Sequence, residues 1–241
     1  MKKIFFSSIT AFSLLLISCR KSNNEVLSPV SSVDKIKTWI TDGLTKNYSY
    51  DNQGRLVKAE YSDGAKIFYT YETGKAIYKY FDEYGTLVMH KEIFFGTDGK
   101  VVKEKFPLIP GRETTFTYDN EHNLNKYSFH DNNTHYYYKY FFSNGNLDSV
   151  RYFNAYDEWT TSTLYTYYTD KKNTLSSDNE GLFFRPHLSK NLIKTEETYY
   201  ADGSASYAYN YVYEFDNKDR VINYNVYQAG VLNSTQNIVY E

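Results

Sequence analysis

With one cysteine, Cys19, in 241 residues, no disulfide can form within the chain, and its folded part must hold together by burial and backbone hydrogen bonds. Proline (4) and methionine (2) are scarce, so neither proline-rich linkers nor soft methionine surfaces are expected. No strong charge of one sign is present: Lys+Arg 27 against Asp+Glu 29 leaves −2. Without residues 1–18, which carry Lys2 and Lys3 and no acid, the balance is −4. Such a chain offers no global field for nucleic acid, and none is expected as a partner. Long hydrophobic runs are also missing. The one apolar stretch, Ile4 to Ile17, is interrupted by Ser7, Ser8, Thr10 and Ser13 and is too short to span roughly 30 Å of hydrocarbon comfortably.

That stretch follows Met1, Lys2 and Lys3, the layout of an export signal. Leu16-Ile17-Ser18-Cys19 then resembles the lipobox of bacterial lipoproteins, whose cysteine is diacylated. The resemblance implies a signal peptide at 1–18, acylation of Cys19, and membrane lipid as a partner. Several acyl chains on one residue give stable anchoring. Arg20 stands where inner-membrane retention signals usually carry Asp, which implies outer-membrane sorting, facing either the periplasm or the cell surface. Residues 19–32, rich in Ser and Asn with one Lys and one Pro, read as a tether.

What the sequence has in plenty is tyrosine (28) and phenylalanine (16), residues that favour pleated, half-buried surfaces. From Val33 onward, turn signals such as Ser62-Asp63-Gly64, Thr97-Asp98-Gly99 and Ala201-Asp202-Gly203 recur between aromatic and β-branched runs. Several share a longer frame: aromatic, Asp, two variable residues, Gly, one residue, aliphatic. Tyr50-Asp51 with Gly54 and Leu56 fits it, as does Phe81-Asp82 with Gly85 and Leu87. Phe95 with Gly99 and Val101 lacks the Asp, while Tyr118-Asp119 has His122, and Phe215-Asp216 has Asp219, in the glycine place. A recurring frame means one supersecondary unit used repeatedly. These residues resemble the YD repeats of Rhs-type proteins, and the chain resembles uncharacterised Bacteroidota-type lipoproteins sharing a Tyr-Asp-x-x-Gly-Arg-Leu turn. The resemblance implies a curled or barrel-like antiparallel sheet with no established activity.

The expected fold is all-β: a single domain over 33–241, an antiparallel meander of roughly 12–16 strands. In Tyr207 to Phe215 aromatics occupy every second position, giving one tyrosine face and one small or polar face. Tyr136 to Phe142 is aromatic on both faces, which predicts a strand covered on both sides. A long loop is expected at 175–194, with room for a short helix plugging one end of the sheet.

No catalytic constellation stands out. The five histidines lack zinc spacing, no Gly-x-Ser-x-Gly elbow or phosphate-cradling loop is present, and the Asp-Gly turns lack a calcium frame. No cofactor, metal or catalytic residue is expected. The leading expectation is a non-catalytic, lipid-anchored monomer with a structural or binding role toward a glycan or an envelope protein. Tyr136, Trp159, Phe183 and Phe184 are the candidate ligand-binding residues, because aromatic faces stack on sugars and peptides. The alternative is a glycan-active hydrolase with scattered carboxylates on a concave face, which two acids in one cleft would favour. A transmembrane barrel is disfavoured by strands such as Val101 to Phe106, which lack a continuous apolar row. Asp148-Ser149-Val150 resembles an O-glycosylation acceptor of exported Bacteroidota-type proteins.

Overall fold

A computed structural model of the protein describes residues 34–186 and 188–241. The predicted signal peptide at 1–18, Cys19 and the tether at 19–32 lie outside the described residues. From the first described residue to the last, strand follows strand. They are β1 (Ile36–Thr41), β2 (Leu44–Tyr50), β3 (Leu56–Tyr61), β4 (Lys66–Glu72), β5 (Lys75–Phe81), β6 (Leu87–Phe95), β7 (Val101–Lys105) and β8 (Glu113–Tyr118). The second half comprises β9 (Leu124–His130), β10 (His135–Ser143), β11 (Asn146–Phe153), β12 (Trp159–Lys172), β13 (Asn191–Tyr200), β14 (Ala205–Phe215), β15 (Val221–Gln228) and β16 (Val231–Tyr240). Each pairs antiparallel with its sequence neighbours, and β1 pairs with β16 through Trp39↔Ile238 and Ile40↔Asn237, which closes the sheet into a 16-stranded barrel. Closure removes every open edge, so no strand is left with an unpaired ladder.

The repeated frame is a hairpin with a bulge. In each case the aromatic and the aliphatic residue face each other just beyond a register shift: Tyr50↔Leu56, Phe81↔Leu87, Phe95↔Val101, Tyr118↔Leu124 and Phe215↔Val221. The Asp carboxylate holds the turn from inside, accepting from the second and fourth following backbone N–H groups, as in Asp51 with Gln53 and Arg55 and in Asp216 with Lys218 and Arg220. The glycine place sits in the left-handed region, where Gly54 has φ 72°. His122 (65°) and Asp219 (58°) adopt the same conformation, which identifies them as true members of the frame. A sixth copy, Phe153-Asn154 with Asp157 and Trp159, escaped sequence analysis because Asn replaces Asp; Asn154 Oδ1 accepts from Tyr156 and Glu158 in the same way.

Directly paired residues share a face, so the register separates the inside of the barrel from the outside. Inward positions carry Tyr48, Ala59, Ile67, Tyr69, Ala76 and Ile93, which belong to one core cluster. Outward positions of the same strands carry Lys58, Glu60, Lys66, Lys75 and Glu92, tied by ion pairs. On β14 the tyrosines 207, 209, 211 and 213 are half-buried, while Ala208, Asn210, Val212 and Glu214 are exposed.

The connection between β12 and β13 folds back into one end of the barrel as a plug. Its described residues contain turns and no helix, and β13 begins at Asn191, so the connecting segment is 173–190 rather than 175–194. The frames explain why it fits. Their bulges leave the N–H of the aliphatic residue free, and the plug supplies acceptors. Leu56 N–H donates to Gly181 O (3.1 Å), Val101 N–H to Phe184 O (3.0 Å) and Val221 N–H to Thr174 Oγ1 (3.0 Å), while Ile36 N–H donates to Asn179 O (2.9 Å). Phe184 is 0% exposed and touches Tyr69, Tyr71 and Phe95, at 6.2, 6.4 and 5.3 Å between ring centroids. Burying such a ring stabilises the fold by about 1.5–3 kcal/mol.

Candidate ligand-binding lumen

A barrel of 16 strands is wider than its own side chains can fill. The fully buried residues Phe184, Leu56, Val101, Val221 and Leu192 gather at the plugged end. Toward the other end Thr114, Thr198 and Gln236 are buried, but the inward Tyr136, Tyr152, Tyr207 and Tyr209 are only half-buried and keep part of their surface accessible. The connections around this mouth, among the described residues, are short; Asp42-Gly43, Asn154 to Glu158 and Ala229-Gly230 are examples. The result is a cup with a plug for its floor.

Its wall is tyrosine. On β9 to β11, Phe129 and Tyr136 stack at 4.7 Å, Tyr136 meets Tyr152 edge-on at 5.7 Å, and Tyr138 lies 5.1 Å from Tyr152. Tyr207 and Tyr209 lie 5.1 Å apart on β14, and the Tyr211 hydroxyl donates to Glu196 at 3.0 Å. Burial raises the hydroxyl pKa of Tyr136, and the neighbouring Tyr152 adds to the rise. Burial likewise pushes Tyr78, Tyr140 and Tyr224 up to about 12. These hydroxyls therefore stay protonated at neutral pH and can both donate and accept hydrogen bonds beside an apolar ring, the pairing of properties that sugars and peptides match.

The floor is ionic. Arg185 of the plug pairs with Glu104 of β7 at 2.9 Å; Glu104 also meets Lys91 at 3.3 Å and accepts from the Thr114 hydroxyl at 3.5 Å. Burial pulls the Arg185 pKa down, but Glu104 and Tyr69 outweigh it and hold it raised. Glu180 is different. Burial raises its carboxyl pKa, with Lys46 and Arg185 opposing, and the same burial lowers Lys46. Glu180 also acts electrostatically on Tyr48, Tyr61 and Tyr224, and so stands within a ring of tyrosines. Sequence analysis missed both acids. Glu104 could have been found: Ile93↔Glu104 places it on the core face of an alternating strand. Nothing in the sequence marked Glu180, because the position of the plug is set by the barrel.

The four sequence candidates do not form one site. Tyr136 lines the cup. Phe183 stacks on Tyr71 at 6.2 Å within the plug, and Phe184, with no exposed surface, is a packing residue rather than a ligand contact. Trp159 sits on the outer wall at 41% exposure, its indole N–H donating to Thr161 O. The strand Tyr136 to Phe142 is not covered on both sides by other layers: Tyr136 and Tyr138 face the lumen, and on the outside lysine side chains lie over Tyr137. Ser149, the suggested glycan acceptor, is buried on the wall and unsuited to modification in the folded protein. Among the described residues no group of histidine, cysteine and acidic side chains could hold a metal ion.

No family model and no curated protein matches the chain. Among solved structures, the chain is similar to a porin-like protein from Bacteroides uniformis ATCC 8492, with 15% identity and a TM-score of 0.59 over 86% of this chain and 96% of that one. It is also similar to a porin-like protein from Bacteroides vulgatus ATCC 8482, with 14% identity and a TM-score of 0.60 over 86% of this chain and 99% of that one. At these identities the likeness is one of fold.

Proposed function

We propose that the protein is a non-catalytic cell-envelope barrel, anchored through acylated Cys19 in the outer membrane, whose tyrosine-lined cup binds a glycan or a protein segment. The observation that carries this reading is the contrast between a dry, plugged end and a mouth lined by half-buried tyrosines, Tyr136, Tyr138, Tyr152, Tyr207 and Tyr209 among them. An envelope location is supported by the porin-like barrels that share the fold. The lipobox and the YD-like turns favour a Bacteroidota-type lipoprotein. The outer wall argues for a barrel standing in water. A membrane-crossing barrel presents an apolar band about 25 Å tall, whereas here mid-strand outward positions hold Lys58, Glu92 and Lys103.

The hydrolase reading draws on one observation, the raised carboxyl of Glu180 within the cup. Glu104, the other acid that meets Arg185, is already occupied by Arg185, Lys91 and Thr114, so these two carboxylates do not make a pair of free acids. One experiment separates the readings. The protein is incubated with a panel of host and bacterial glycans, and retention and new reducing ends are scored together. Retention without products, weakened by Tyr209→Ala, is the expected result; product release abolished by Glu180→Gln would overturn it. For the anchor, a labelled fatty-acid analogue is expected on the wild type and absent from Cys19→Ala; an unlabelled wild type removes the anchor.

A further inference from the structure

The outer wall is not uniform. Over β3 to β8 most of its cations are matched by acids: Glu60 holds Lys58 (2.7 Å) and Lys66 (3.3 Å), Lys75 meets Glu92 (3.1 Å), and Lys103 meets Glu113 (2.9 Å), while Lys79 and Lys105 have no ion pair among the described residues, Lys105 standing opposite Glu92 and Glu113 in register. Over β9 to β11 the matching stops. Lys126 is directly opposite Lys139, and Lys139 is directly opposite Arg151, so three cations form a row across three adjacent strands. The row continues into Thr117 on one side and Ser162 on the other, with no acid in it. Among the described residues none of the three cations has a carboxylate partner; they lie over aromatic rings instead. Lys126 Nζ is 4.0 Å from the Tyr137 ring centre and Lys139 Nζ is 5.1 Å from that of Phe153, two rings that themselves stack at 4.7 Å. The Arg151 guanidinium lies between Phe141 (5.0 Å) and Trp159 (5.3 Å), both about 40% exposed.

Like charges placed directly opposite each other on a sheet destabilise it, and cation–π contacts offset only part of that cost at an exposed site. Asp157 reaches the Tyr137 hydroxyl but forms no ion pair with the three cations, so the row lacks a direct counter-ion of its own and is suited to an external one. Neighbouring strands are about 4.8 Å apart, so the three charges span about 10 Å of the wall, with the exposed rings of Phe141 and Trp159 beside Arg151 at one end. Cations and exposed aromatic rings side by side select an anion that also carries sugar rings, because pyranose faces stack on aromatic side chains. Pyranose rings offer apolar faces to Phe141 and Trp159, and carboxylates borne along a polymer of such rings meet the cations.

We propose that the outer face of β9 to β11 is a binding surface for a linear acidic polysaccharide, with Lys126, Lys139 and Arg151 contacting its carboxylates and Phe141 and Trp159 its ring faces. This surface lies outside the barrel and does not depend on the cup being a binding site.

The test uses the full chain purified in detergent, with polygalacturonate as the acidic probe, dextran as the neutral one, oligothymidylate as a nucleic-acid polyanion and phosphatidylglycerol vesicles as an anionic membrane. The expected result is polygalacturonate binding that weakens steeply with salt, with no retention of dextran. Lys139→Glu is expected to weaken binding at least tenfold, Arg151→Gln several-fold, and Trp159→Ala several-fold with the salt dependence unchanged. Lys139→Glu places an acid between two cations and is expected to melt no lower than wild type, which separates lost binding from lost folding. Tyr209→Ala in the cup is expected to leave polygalacturonate binding intact. Binding that is absent, or indifferent to both Lys139→Glu and Arg151→Gln, overturns the proposal. Tighter binding of oligothymidylate or of vesicles than of polygalacturonate overturns it equally.

Discussion

The two ends of this barrel are built from the same strands and do opposite things. At the plugged end the bulged frames turn Leu56, Val101 and Val221 inward, and their free N–H groups are taken up by plug acceptors around a ring with no exposed surface. At the mouth the same wall carries tyrosines that are only half-covered. Stability is concentrated where backbone donors and apolar surface are satisfied together; partly covered rings, the surface proposed to bind, remain where they are not. A wide barrel needs both, because without a plug 16 strands enclose more space than their side chains fill.

The comparison can be broken most directly at Phe184. Phe184→Ala is expected to cost about 3–5 kcal/mol, read from chemical denaturation, with hydrogen exchange accelerating first across 175–186 and the starts of β3 and β7. A loss below 1 kcal/mol would mean that the plug contributes little to the fold. Gly181→Ala comes next. Gly181 has φ 72°, and an added Cβ would lie 2.7 Å from Leu56 N, 2.8 Å from Gly54 O and 2.8 Å from Tyr50 Cε1. With both strain and collision present, a cost of about 3 kcal/mol is expected in a thermal melt.

The mouth is expected to respond weakly in stability and strongly in function. Tyr209→Ala removes a half-buried ring and is expected to cost about 1 kcal/mol, while glycan or peptide retention by the cup falls by more than tenfold; equal losses at both ends would dissolve the distinction. The smallest effect concerns acid. Hydrogen bonds from Arg220, assisted by backbone N–H groups, hold Asp216 at about 2, below its ordinary 3.8. A depressed carboxyl contributes stability that is complete above its unfolded pKa and is lost as pH falls from about 3.8 through about 2. Asp216→Asn is therefore expected to lower Tm at pH 7 and to flatten its decline between pH 4 and pH 2. An unchanged acid limb would assign that decline to other carboxylates.

Much of this was legible beforehand for a local reason. A turn that needs positive φ and a carboxylate accepting from the second and fourth following N–H groups is specified within seven residues, so Tyr50 to Leu56 could be read directly, and alternation along Tyr207 to Phe215 gave the two faces of a strand. The frame at Phe153 to Trp159 was overlooked because Asn154 does chemically what Asp does. The long segment after β12 was visible as a gap in the pattern, but its role as a floor was not, because its acceptors meet Leu56 and Val101, more than seventy residues away in the chain. The residues of the candidate site divide in the same way. Tyr136 was named from its strand. Glu180 was not, since a carboxylate in a turn acquires a raised pKa only when a barrel closes around it.

What the sequence determined by itself is therefore the unit and its repetition: all-β character, hairpin turns, and an aromatic face opposite a polar one. Those follow from φ preference, side-chain alternation and turn hydrogen bonds, all of which act over a few residues. Only the tertiary structure decided that the sixteenth strand pairs with the first, that the tyrosine face turns inward, that Arg185 and Glu180 form a charged floor, and that Lys126, Lys139 and Arg151 fall into one row. Each of these depends on register and closure, which place in contact residues that the chain itself holds far apart.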